Sequence, residues 1–193
     1  PVASVFEGRP SASMNLLGVT GTNGKTSTVE LTAHMIRTGG VSALACGNVG
    51  TTVIEAVESP EKYEFLVLEL SSFQLHWLED AHFVSVAILN IAEDHLDWHG
   101  TFTEYARVKG SILDRASTGI FNSTDLEVVN QAAHWQGRKV FFSLDTPAPG
   151  EIGVVEELLV DRAFVSDPQE AVMLAELVDV KPVIKSFYFF SFQ

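Results

Sequence analysis

Nine residues, Gly18-Val19-Thr20-Gly21-Thr22-Asn23-Gly24-Lys25-Thr26, carry the strongest chemical signal in the sequence. They lie between an apolar run, Met14 to Val19, and a stretch of helical character from about Lys25 to Thr38 that Gly39-Gly40 closes. Strand, glycine-rich turn and helix in that order form the setting a phosphate-binding loop needs. Glycines let the backbone fold around phosphate oxygens with its amides pointing inward, and the helix N-terminus adds positive potential. Lys25 would then reach the β- and γ-phosphates, and the Thr26 hydroxyl would ligate Mg²⁺. Val19 departs from the general pattern, which has glycine five residues before Gly24. Gly-Lys-Thr alone would equally describe a turn with a solvated lysine; the flanking strand and helix favour phosphate.

Three further groups could do chemistry. Glu69-Leu70-Ser71-Ser72-Phe73-Gln74-Leu75 follows an apolar strand, at the sheet edge where open parallel sheets bind ligands. A carboxylate buried there needs a partner or a metal, so Glu69 is a metal-ligand candidate, although a strand-tip carboxylate can also be simply solvated. Asn90-Ile91-Ala92-Glu93-Asp94-His95-Leu96-Asp97 follows another apolar strand and holds three carboxylates and an imidazole within five residues. That set suits a hard cation, or else a polar loop with a histidine cap. Lys109 lies mid-helix and carries no functional claim by itself.

These groups need a scaffold. Val41 to Cys46, Phe65 to Leu70, Val84 to Leu89, Gly119 to Phe121 and Lys139 to Phe142 read as strands. Helices are expected over Thr51 to Val57, Phe73 to Leu78, Phe102 to Ala116 and Asp125 to Trp135. Alternation of this kind predicts an α/β fold, a mainly parallel sheet flanked by helices on both faces. After Thr146-Pro147-Ala148-Pro149-Gly150 the texture changes. Runs at Ile152 to Val155, Leu158 to Val160 and Ala163 to Val165 predict a small antiparallel β meander over about 150–166, and Pro168 to Val178 a last helix.

Composition narrows the function. The 193 residues carry a net charge of −13, which opposes sequence-independent nucleic-acid binding because that requires clustered cations. No run of about twenty apolar residues and no secretory-signal pattern occurs, so no membrane association is expected. One cysteine, Cys46, fits a reducing cytoplasm.

Together the motifs resemble the Mur ligase family over about Leu16 to Pro182. The Thr-Gly-Thr-Asn-Gly-Lys-Thr loop with its shifted glycine is similar to the form found in that family and in folylpolyglutamate synthetases. The Asn-x-x-x-Asp-His-Leu-Asp run, and a lysine about fourteen residues after His95, are family features too. Gly47-Asn48-Val49-Gly50 and the Glu-Leu-Ser-Ser-Phe-Gln-Leu run look like the D-glutamate-adding branch. The resemblance implies an ATP-dependent, ADP-forming amide ligase of peptidoglycan biosynthesis, joining D-glutamate to UDP-N-acetylmuramoyl-L-alanine through an acyl phosphate. It implies ATP held by Gly21, Thr22, Asn23, Gly24, Lys25, Thr26 and Ser27, and Mg²⁺ by Thr26, Glu69, His95 and Lys109. Lys25, His95 and Lys109 become the expected catalytic groups, with Lys109 matching a lysine that is carbamylated in the family. Asn48, Ser71 and Gln74 match contacts to the muramoyl-alanine end.

On the same resemblance, residues 14–182 are the middle domain, 1–13 a linker and 183–193 an atypical aromatic tail. The family's N-terminal UDP-binding and C-terminal domains are expected to be absent, and the chain to be monomeric and inactive alone. Another ligase of the superfamily, such as a folylpolyglutamate synthetase, and a non-catalytic nucleotide-binding module remain alternatives.

Overall fold

A computed structural model describes residues 14–167 and 169–180. The linker 1–13 and the tail 183–193 therefore lie outside the described residues. The chain divides after Val140 into two compact units.

In the first unit the elements are β1 (Asn15–Thr20), α1 (Lys25–Thr38), β2 (Ala43–Gly47), α2 (Val53–Glu58), β3 (Phe65–Glu69), α3 (Ser72–His76) and β4 (Phe83–Ile88). They continue with α4 (Leu96–His99), α5 (Phe102–Gly110), a 3₁₀ turn (Ser111–Arg115), β5 (Ala116–Asn122), α6 (Leu126–His134) and β6 (Arg138–Phe142), which carries the chain into the second unit. The strand order is β2-β3-β1-β4-β5, with the pairs β2–β3, β3–β1, β1–β4 and β4–β5 all parallel. β1 lies between β3 and β4, so the windings to either side part at its C-terminal end, where ligands of open α/β sheets bind.

Both faces of this sheet are covered. Val19 and Val67 pack with Val29 and Ala33 of α1. Side chains alternate along a strand, so Gly18 faces the opposite way, toward Ile112 of the 3₁₀ turn and Phe83 of β4. Burial on both faces explains why Leu66, Val67 and Leu68 form an unbroken apolar run. The expected helix over Phe102 to Ala116 ends earlier, at Gly110, because the chain tightens through the 3₁₀ turn and Ala116 already opens β5.

In the second unit Phe141 and Phe142 pair in parallel with β7 (Glu151–Val155), β7 pairs antiparallel with β8 (Leu158–Asp161), and β8 with β9 (Val172–Glu176). The meander is present, but its third strand is not Ala163 to Val165. The Asp161 carboxylate accepts from the amides of Ala163 and Phe164 and turns the chain there. The expected helix over Pro168 to Val178 is likewise replaced, over its described residues, by β9 and a 3₁₀ turn at Leu177–Asp179. A short apolar run suits either helix or strand, and pairing with β8 decides it. Among the described residues no helix is long and apolar enough to cross a membrane.

Gly47 closes β2 with φ 127°, and a side chain there would overlap the Glu69 backbone. Gly47→Ala is expected to cost about 3 kcal/mol or more of stability, read as a lower urea midpoint, because strain and overlap add.

Candidate active site

The loop after β1 is fastened before any ligand is considered. The Thr20 hydroxyl donates to the Leu70 carbonyl at 2.9 Å, tying the ends of β1 and β3. Asn90, just beyond β4, accepts the Thr22 amide on its carbonyl at 2.9 Å and the Asn23 amide on its side-chain oxygen at 2.8 Å. Its side-chain nitrogen donates to the Asn23 carbonyl at 3.0 Å. Thr22 and Asn23 therefore direct their amides at Asn90. Gly24 follows in the left-handed region, φ 83°, and begins α1 with no side-chain cap. The helices α2, α3, α5 and α6 each close their N-termini with a side chain: Thr52, Ser71, Thr101 and Asp125. On α1 the amides of Gly24, Lys25, Thr26 and Ser27 stay open, since the first four amides of a helix have no partner within it. Open amides at a helix start attract anions.

Lys25 curls over this loop, its ammonium donating to the carbonyls of Gly21 at 3.0 Å and Thr22 at 2.9 Å. One residue on, Thr26 donates its hydroxyl to Glu69 Oε2 at 2.8 Å. Glu69 is 2% exposed, and its other oxygen faces the Asn48 side-chain amide at 3.4 Å. Hydroxyl and carboxylate thus converge beside the open amides. Two protein oxygens there fit Mg²⁺, which keeps several waters and shares phosphate oxygens instead of demanding an all-protein cage.

Lys109 is also 2% exposed. Its ammonium donates to the Gly21 carbonyl at 2.9 Å and lies 4.8 Å from the centre of the Tyr105 ring. Two lysines therefore share one carbonyl oxygen. Burial first, then Lys25, pushes the Lys109 amine from 10.5 down to about 7, against the pull of Asp94. His95 adopts φ 50° ahead of α4; its Nε2 lies 3.4 Å from Asp94 and its ring 4.9 Å from Phe73. Neither His95 nor Lys109 bonds to Glu69, and among the described residues no three His, Cys, Asp or Glu side chains gather at metal-binding spacing. Ser71 and Gln74 are joined by a capping box at the start of α3: the Ser71 hydroxyl accepts the Gln74 amide, and the Gln74 oxygen accepts the Ser71 amide.

The description Mur ligase middle domain matches residues 19–172. The chain belongs to the Mur ligase family. It is 48% identical over 173 residues to a Thermobifida fusca protein named UDP-N-acetylmuramoylalanine--D-glutamate ligase, covering 86% of this chain and 37% of that relative. A Streptomyces coelicolor protein of the same name is 45% identical over 172 residues, covering 86% and 36%. The chain thus spans little more than a third of the length of these relatives. Among solved structures, MurF ligase from Thermotoga maritima in complex with ADP aligns with TM-score 0.60 at 19% identity, over 85% of this chain and 41% of that one. A pseudomurein peptide ligase type C from Methanothermus fervidus gives 0.58 at 18%, over 83% and 41%. At such identities the likeness speaks for the fold.

Three residues of this Mur ligase domain were given no role of their own by sequence. Asn90 was visible as the head of the Asn-x-x-x-Asp-His-Leu-Asp run, and that run was read for metal, yet Asn90 holds the loop. Tyr105 precedes Lys109 by four residues, the spacing that puts two side chains on one helical face, and that signal was available. His99 is buried and bonds Ser72 through Nε2 at 2.9 Å, while Nδ1 has no partner. Burial first, then His95 and Lys109, lowers its pKa.

The Lys109 shift has a thermodynamic consequence. A lysine titrating near 7 when folded and at 10.5 when unfolded leaves the unfolded chain with more protons between those values, so stability rises with pH across that window. The cost of the buried cation is complete below 7 and gone above 10.5. Lys109→Met is expected to raise stability by on the order of a few kcal/mol at pH 6.5, with the gain shrinking toward pH 10, measured by urea unfolding at both values.

Proposed function

We propose that this chain is the nucleotide-binding middle domain of a ligase that joins D-glutamate to UDP-N-acetylmuramoyl-L-alanine with release of ADP. The observation that carries the reading is the Thr26 hydroxyl on the buried Glu69 carboxylate, beside the open N-terminus of α1 and under Lys25. The names of the 41–48% identical relatives supply the substrate class.

On this reading the open amides of Gly24 to Ser27 receive the ATP phosphates, with Gly21, Thr22 and Asn23 shaping the loop around them. Lys25 releases its two carbonyls and turns to the β- and γ-phosphates. Thr26 and Glu69 would hold one Mg²⁺, and Glu69, His95 and Lys109 would serve a second, for which His95 and Lys109 would have to leave Asp94 and Gly21, their present partners. Bound Mg²⁺ would neutralise charge on the transferring phosphoryl group. Asn48, Ser71 and Gln74 position the alanyl carboxylate of the muramoyl substrate, whose oxygen attacks the γ-phosphorus. ADP leaves, and the amine of D-glutamate displaces phosphate from the acyl phosphate. Lys109 would enter as a carbamate: at about pH 7 a substantial share of its buried amine is neutral, its lone pair attacks carbon dioxide as one C–O π bond opens, the nitrogen releases a proton, and the carboxylate formed carries oxygens suited to a cation. The rest of the ligase would supply the uridine and D-glutamate sites, and the whole would act as a cytoplasmic monomer. On this reading the domain spans residues 14–182.

Mg²⁺-ATP titrated into the chain is expected to bind, with Lys25→Ala weakening it about tenfold or more. Equal affinity in the variant would overturn the assignment of the loop.

The reaction is tested by replacing the matching segment of the Thermobifida fusca relative with residues 14–180. ADP release should require both UDP-N-acetylmuramoyl-L-alanine and D-glutamate. In that chimera Lys109→Ala is expected to lower kcat roughly 10- to 100-fold, with partial recovery in a short-chain carboxylate. Undiminished turnover in the variant would remove Lys109 from the mechanism.

A further inference from the structure

Tyr105 is 1% exposed, and a buried phenol hydroxyl needs a partner. It has one, the Thr22 hydroxyl at 3.0 Å. Thr22 Oγ1 also receives the Ala92 amide at 3.0 Å and lies 3.2 Å from the Ala92 carbonyl. Proton counting then fixes the directions. Threonine has one hydroxyl proton, and the Ala92 carbonyl can only accept, so that proton goes to Ala92. The proton between the two hydroxyls is therefore the tyrosine's, and Tyr105 donates. Thr22 is left with all its hydrogen-bonding capacity used and its side chain pinned in one rotamer.

The same tyrosine reaches the neighbouring residue of the loop by another route. Its ring faces the Lys109 ammonium, which donates to the Gly21 carbonyl. That carbonyl already receives Lys25, so two cations meet at one oxygen. The negative face of an aromatic ring offsets part of the resulting repulsion in a place where no carboxylate pairs with Lys109 among the described residues. The ring itself cannot swing away. His99 abuts it edge-on, with centroids 5.2 Å apart, and His99 is anchored on Ser72.

We propose that Tyr105 is a positioning residue for nucleotide binding, its hydroxyl fixing Thr22 and its ring holding the Lys109 ammonium, before any carbamylation, against Gly21. This rests on the nucleotide reading of the loop. A core-filling aromatic would be a different matter, because phenylalanine would fill the same volume.

Tyr105→Phe separates the two, since it keeps the ring and removes only the hydroxyl. Mg²⁺-ATP affinity of the chain is expected to fall about 3- to 10-fold, the worth of one buried hydrogen bond. Amide hydrogen exchange should accelerate at Thr22, Asn23 and Ala92 and stay unchanged at Leu66 to Leu68 in the core. Thr22→Val, which also removes the two Ala92 bonds, should lose at least as much affinity, and the double variant no more than Thr22→Val alone, because the Tyr105 hydroxyl acts through Thr22. Thr22→Ser, which retains the hydroxyl, should restore most of it. Affinity within twofold of the parent together with unchanged loop exchange would overturn the proposal, as would additive losses in the double variant. Absence of nucleotide binding by the parent chain would refute the nucleotide reading instead, and the exchange at Thr22, Asn23 and Ala92 would still decide for or against Tyr105 as the residue that holds the loop.

Discussion

Glu69 ends a strand with apolar neighbours on both faces, and a carboxylate so deeply buried is tolerable only where donors reach it. Much of the surrounding sequence answers that requirement. Thr26 stands at the first turn of α1 and Asn48 at the turn after β2, and each brings a donor to one carboxylate oxygen. The Asn48 amide also bonds the Glu69 carbonyl at 3.0 Å, which brings the β2 turn hard against the end of β3. That approach leaves no room for a side chain at Gly47. The glycine, the threonine and the asparagine are thus consequences of one buried charge held between two neighbouring strands and a helix start.

Charge is distributed unevenly around this point. The chain as a whole is strongly acidic, −13, yet two ammonium groups, Lys25 and Lys109 of α5, and four open amides gather at its loop after β1. Net charge describes solubility and long-range steering, whereas a phosphate responds to donors within hydrogen-bonding distance. An acidic protein can therefore carry a local anion site, and its acidity then discourages nucleic acid without weakening that site.

How much of this was legible in the sequence follows from how local each signal is. The loop, the first helix and the parallel strands were readable because a glycine-rich turn between an apolar run and a helix is decided within about twenty residues. So was Glu69, whose position at the end of an apolar strand forces the question of its partner. The third strand of the meander was misread because Val172 to Ala175 has no period of its own, and only pairing with β8 makes it extended. Asn90 escaped for a related reason: its bonds to Thr22 and Asn23 span more than sixty positions, and spacing along a chain carries no record of them. Composition placed His95 near a metal-like cluster, but the backbone at φ 50° and the contact with Phe73 were not deducible from it.

The arrangement of the loop explains why so many side chains are devoted to nine residues. A flexible glycine-rich turn could wrap a phosphate, but would lose conformational entropy each time it did so, and that loss would come out of the affinity. Here the turn is held from several directions: by Asn90 on Thr22 and Asn23, by Tyr105 and Ala92 on the Thr22 hydroxyl, and by two lysines on Gly21. None of these bonds uses an amide of Gly24 to Ser27. The donors that shape the loop and those left facing outward are different groups, so the shape does not have to be given up when the outward ones are engaged. The Lys25 ammonium stands in both sets, and its long side chain can turn from the carbonyls toward an incoming anion.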